Sequence, residues 1–142
     1  MKRILPFIAL IIALAMVGCH QNATQKNDNK TEAVETFESP EALFHAVEDA
    51  VFVQHDAQRS IRLVDKLVAD YPSFEQTPVA MFMLANFIYD EQLHDLDKAR
   101  ETYQQIVDDY PDSPFANDAA ISITQLGMTP EELIRMFEER NN

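Results

Sequence analysis

One stretch of this chain occurs twice, 39 residues apart, and it sets the terms for the rest. His94 to Pro111 (HDLDKARETYQQIVDDYP) lies over His55 to Pro72 (HDAQRSIRLVDKLVADYP) with six identities in eighteen positions. In the later copy Leu96, Ala99, Tyr103, Ile106, Val107 and Tyr110 recur at three- and four-residue steps. That spacing puts them on one helix face, with Lys98, Arg100, Glu101, Gln104 and Asp108 on the others. The earlier copy keeps the face by type, with Ser60 over Ala99, Val64 over Tyr103 and Leu67 over Ile106. Pro111 has no N–H to donate and turns its predecessor away from helical angles, so Tyr110 ends the helix. Ser113-Pro114 then opens the next, the hydroxyl capping and the proline at N1. A helix whose apolar stripe repeats at this period must bury it on its neighbours, which is the logic of a helical repeat.

The same signals divide the remainder. Ser39-Pro40-Glu41 opens a first helix with Leu43, Val47, Ala50 and Val51 on its apolar face, through about Gln54. A second runs from about Asp56 to Tyr71, Thr77-Pro78 opens a third, and His94-Asp95 precedes the fourth. Gly127 stops the fifth, and Thr129-Pro130-Glu131-Glu132 has the pattern of a capping box for a sixth, with Leu133, Ile134 and Phe137 as its apolar face. No strand pattern occurs. The expectation is an all-α fold of three antiparallel helix pairs.

Ala80 to Ser113 resembles a tetratricopeptide repeat. Leu84-Ala85 stands for the Leu-Gly of the first helix, and Ala99, Tyr103 and Pro111 fall at the family's Ala, aromatic and Pro spacing. Two extra residues sit near Gln92-Leu93, and Met81 replaces the usual aromatic. The endings YPSFEQTPVA and YPDSPFANDA are similar to repeats in bacterial envelope lipoproteins, those of the outer-membrane barrel-assembly machinery and of the cell-division coordinator associated with Tol-Pal. The resemblance implies a short right-handed superhelix and a protein–protein interaction scaffold or adaptor that is not an enzyme.

The first residues belong to a different category. Lys2-Arg3, an apolar run from Ile4 to Val17 broken only by Pro6, and Met16-Val17-Gly18-Cys19 read as a secretory signal sequence. The position of Cys19 resembles the processing site of bacterial lipoproteins, with Met16 in place of the usual Leu. By that resemblance residues 1–18 are a lipoprotein signal peptide, and Cys19 is the first mature residue and carries the lipid, palmitate among its acyl chains. The alternative is an ordinary secreted protein with an unpaired thiol. Residues 19–38 read as a flexible tether with roughly 25 Å of reach, and residues 39–142 as the helical domain. His20 stands where Asp would signal retention at the inner membrane, so the analogy favours the outer membrane.

The chain carries −13, and removal of Lys2 and Arg3 takes it to −15. Such a charge disfavours nucleic acid and anionic headgroups as ligands of the domain, so membrane attachment falls to the acyl chains. Two glycines exclude a phosphate-cradling loop, and no cysteine besides Cys19 offers a nucleophile. His55 and His94 occupy equivalent turns beside capping aspartates, and no cluster has metal-ligand spacing. Asp90, Glu91, Asp95 and Asp97 lack the turn glycine and alternation of a calcium loop. No metal and no cofactor are expected, nor is a small-molecule substrate.

In the family it resembles, the first helix of each pair lines the surface that grips peptides. Here those helices, Pro40 to Gln54, Pro78 to Tyr89 and Pro114 to Gln125, hold no Lys or Arg. The expected partner surface is apolar and mildly acidic, with Phe82, Asn86, Tyr89, Ile121 and Gln125 ringed by Glu48, Asp49 and Asp118. Val79 to Tyr89 is apolar at every position but Asn86, which means a helix enclosed by neighbours or one with a sticky face. Two other readings stay open: a periplasmic carrier of lipid or hydrophobic peptide, and a metal-binding or hydrolytic activity in the acidic loops.

Overall fold

A computed structural model describes residues 35–141. Cys19 and the expected signal peptide lie outside the described residues, as does the expected tether up to Val34. Six helices follow one another: α1 (Pro40–Glu48, continued by a π-helical stretch Asp49–Gln54), α2 (Ala57–Asp70), α3 (Thr77–Met83, continued by π-helical Leu84–Gln92), α4 (Leu96–Asp109), α5 (Pro114–Gln125) and α6 (Pro130–Arg140). The described residues contain no strand. The fold is all-α and of tetratricopeptide type.

Each start is capped as its sequence dictates. Ser39, Asp56, Asp95, Ser113 and Thr129 accept a bond from a backbone N–H in the first turn of their helix. At α6 the box is complete: Glu132 N–H donates to Thr129 Oγ1 at 3.3 Å, and Thr129 N–H donates to Glu132 Oε2 at 2.8 Å. Thr77 departs from this pattern. It lies inside α3, fully buried, and its hydroxyl donates to the Tyr71 carbonyl at 2.8 Å, tying the end of α2 to the start of α3.

The repeated His-Asp pair is a helix-hairpin turn. His55 and His94 take left-handed φ values of 51° and 53°, conformations in which His, Asn and Asp are enriched. The next N–H folds back six residues, from Asp56 to the Ala50 carbonyl at 3.0 Å and from Asp95 to the Tyr89 carbonyl at 2.7 Å. The aspartate then caps the second helix. These identities therefore encode a chain reversal.

The first helices α1, α3 and α5 pack in sequence as one layer; α2 lies against α1 and α3, and α4 against α3 and α5. Small residues sit where helices cross, with Ser60, Ala80, Ala85, Ala99 and Ala119 all at zero exposure. Leu43, Val47, Leu67, Ile88, Tyr103 and Ile106 fill the space between. Ser60 keeps its hydroxyl satisfied on the Asp56 carbonyl at 2.8 Å. The compact unit begins at Glu35, ahead of Ser39. Arg59 holds that start through Nε to Glu35 Oε1 at 3.1 Å and Nη2 to Oε2 at 2.8 Å, a fork that raises the guanidinium pKa. Phe37 rests against the core beside it.

The last pair is packed unevenly. α5 lies on α4 and α3, whereas α6 buries none of its residues and leaves Ile134 and Phe137 exposed. Gly127 makes the turn into α6 at φ 80°, and a Cβ there would stand 3.0 Å from Leu96 Cδ1. Gly127→Ala should therefore cost about 1–2 kcal/mol. Urea unfolding of the two proteins measures it, and an unchanged midpoint would mean that the turn is not held in this conformation.

Candidate functional site

The expected partner surface assumed a regular helix from Val79 to Tyr89, which would put residues 82, 86 and 89 on one stripe. From Leu84 the helix is π-helical. A turn closed by i→i+5 bonds takes about one residue more than an α-turn, so later side chains lag by about one position.

Tyr89 consequently turns inward. It is 7% exposed and belongs to the core, with Lys98 Nζ 5.7 Å from its ring centroid. Burial first, then Asp65, Asp95 and Glu101, push its phenol pKa up, so it stays neutral. The assignment of Tyr89 to the partner surface is corrected on this ground. Phe82 is half-buried, its ring centroid 5.3 Å from that of Tyr103 and 5.5 Å from that of Phe115, and it joins α3 to α4 and α5.

Asn86 is also half-buried. Its Oδ1 accepts from the Tyr103 hydroxyl at 3.4 Å, and its Nδ2 donates to Glu91 Oε1 at 3.4 Å. Ile121, 38% exposed, does face outward on α5, whereas Gln125 is half-buried. The five expected residues thus do not form one open surface.

The lag brings out another residue. Phe87, 36% exposed, meets Phe52 of α1 edge to face at 5.0 Å, and Phe52 is 45% exposed. With Val51, His55, Glu91 and Gln92 they line a cleft of about 390 Å³. Gln92 Nε2 donates to the His55 carbonyl at 3.0 Å and fixes one hairpin turn against the other below the rings. Sequence reasoning passed over Phe52, although a signal existed. Leu43, Val47, Ala50 and Val51 complete the core stripe of α1, which leaves Phe52 and Val53 as large apolar residues with no place on it.

Within α1, α3 and α5 the charged residues are Glu41, Glu48, Asp49, Asp90, Glu91 and Asp118, all acidic. Some are engaged: His45 Nδ1 lies 2.9 Å from Glu48 Oε2, and Arg59 Nη1 lies 3.5 Å from Asp49 Oδ2. Glu91 meets the neutral Asn86 amide instead. Among the described residues no three His, Cys, Asp or Glu side chains are grouped to hold a metal ion.

Stacked helix hairpins with a layer of first helices free of Lys and Arg define a helical-repeat architecture. The particular repeat can be named, since residues 79–113 match the tetratricopeptide repeat family. That span covers the α3–α4 hairpin and about a quarter of the chain. Such repeats generally mediate protein–protein interaction and are typically non-catalytic. No curated protein and no solved structure matches the chain.

Proposed function

We propose that this protein is an interaction scaffold or adaptor of the bacterial envelope, anchored through a lipid on Cys19 and favouring the outer membrane. Residues 1–18 serve as the lipoprotein signal peptide, residues 19–34 as the tether, and the helical domain, which begins at Glu35, meets other envelope proteins. Barrel assembly and the Tol-Pal machinery are the settings that the resemblance of its repeats favours. The observation that carries the reading is the layer of first helices, which leaves Phe52, Phe87 and Ile121 uncovered and presents no Lys or Arg of its own. No helix among the described residues is long and apolar enough to cross a membrane.

Photocrosslinkers placed one at a time in intact cells test the adaptor role. Positions 53 and 121 on the first-helix layer should give discrete protein adducts, whereas position 104 on α4 should not. Absence of adducts from every position would sink the reading.

A further inference from the structure

An exposed aromatic pair on a small domain lacks an account in folding alone. Phe52 and Phe87 keep 45% and 36% of their surfaces open, and Val53, next along α1, keeps 72%. Burying an aromatic side chain stabilises a fold, and these rings forgo part of that gain. The π-helical ends of α1 and α3 turn the rings toward each other, and the Gln92–His55 bond braces the two turns beneath them. A cleft of about 390 Å³ lies at the low end for small-molecule sites and suits side-chain anchors rather than an enclosed ligand.

Charge selects the occupant. Glu91 lines the cleft, while neither α1 nor α3 contributes a Lys or Arg. An anionic lipid surface would be repelled by this rim, and so would the same rim of a second copy. A basic segment would be drawn to it. We propose that the Phe52–Phe87 cleft docks a basic segment of a partner protein. This segment places an aliphatic or aromatic side chain against the two rings and sets its Lys or Arg flanks beside Glu91. The proposal rests on the adaptor reading and gives that adaptor its recognition chemistry. One cleft offers little area, so the isolated contact is weak and gains strength when both partners are held at one membrane.

Fluorescence anisotropy on the full chain in detergent tests it, with two labelled peptides as probes. Both carry the same Leu and Phe anchors; one is flanked by Lys and the other by Glu. The Lys peptide should bind at least about tenfold more tightly, and high salt should erode the difference. Phe52→Ser with Phe87→Ser should weaken it by about tenfold or more, while Ile134→Ser with Phe137→Ser leaves it unchanged. Should the first pair of changes unfold the domain, Glu91→Lys serves instead, being an exposed substitution that should lower affinity for the Lys peptide and raise it for its Glu twin.

Equal affinity for the two peptides, or no binding by either, overturns the proposal. So does binding that survives the changes at Phe52 and Phe87. Phosphatidylglycerol vesicles captured through these residues would mean a membrane patch, and self-association through them in sedimentation would mean a dimer; each also overturns it. Crosslinked adducts at position 121 with a failed peptide test would sink this cleft and leave the adaptor reading standing. Absence of adducts everywhere would sink both.

Discussion

Tyr103→Ala should destabilise the domain by about 3–5 kcal/mol, more than any other single change in the α3–α4 hairpin. Tyr103 is 1% exposed and is the largest fully buried side chain of the described residues. It stands on the stripe of α4 that packs on α3, with the Phe82 ring at 5.3 Å, and Phe82 in turn touches Phe115 of α5. Truncation would leave a cavity at the point where three helices meet, and helices pinned at both ends cannot collapse into it. Domains of this size have about 5–15 kcal/mol in total, so the variant should melt more than about 10 °C lower.

Tyr103→Phe separates packing from polarity. The hydroxyl donates to Asn86 at 3.4 Å, a long bond, and burial raises the phenol pKa first of all, so the group is neutral and weakly held. Removing it should cost about 1 kcal/mol or less. Thermal melts of the three proteins decide the matter. A Tyr103→Ala loss no larger than that of Tyr103→Phe would refute the packing of α3, α4 and α5 described above.

The parts of this fold that the sequence made legible are those governed by local rules. Proline after tyrosine stops α2 and α4, and Ser39, Asp56, Asp95, Ser113 and Thr129 each cap where such residues favour doing so. The stripe of α4 predicted Ala99, Tyr103 and Ile106 as core because α4 is a regular helix throughout, and all three are buried. Burial of α6 was not legible. Its stripe of Leu133, Ile134 and Phe137 has helical spacing, but spacing says only that a face exists, and α6 buries none of it.

The partner surface was misread where the helix stopped being regular. A π-helical stretch has no strong residue signature, so nothing local announced that Leu84–Gln92 would lag. The two extra residues near Gln92-Leu93 were the available sign. Read as a longer loop they leave Tyr89 on the surface; read as slack taken up within the helix they turn Tyr89 in and Phe87 out. Repeat arithmetic and helix geometry are thus two readings of one insertion. The charge reading depends on which helix carries a residue, not on its angle around the axis, and is unaffected by the lag.

Cys19→Ser should move the protein from the membrane pellet to the soluble fraction, a change in partition of at least about a hundredfold. Each buried methylene contributes about 0.8 kcal/mol, one acyl chain holds a protein only marginally, and two or more hold it firmly, so on the proposed anchor loss of the Cys19 sulfur would remove the whole attachment. A net charge of −13 and an acidic first-helix layer disfavour anionic headgroups as a substitute. An uncleaved leader could retain the variant by itself, so a second protein with an ordinary secretory leader ahead of residue 20 completes the test. It should be soluble, with the melting temperature of the lipidated form. Mass spectrometry of the wild-type N-terminus should find Cys19 acylated; an unmodified sulfur, or Cys19→Ser protein pelleting with a cleaved leader, would refute the anchor. The soluble form should also lose its envelope partner although every residue of the cleft is intact. The proposed contact at Phe52 and Phe87 would depend on the local concentration that the proposed tether imposes, and that concentration would fall away once the chain diffused freely.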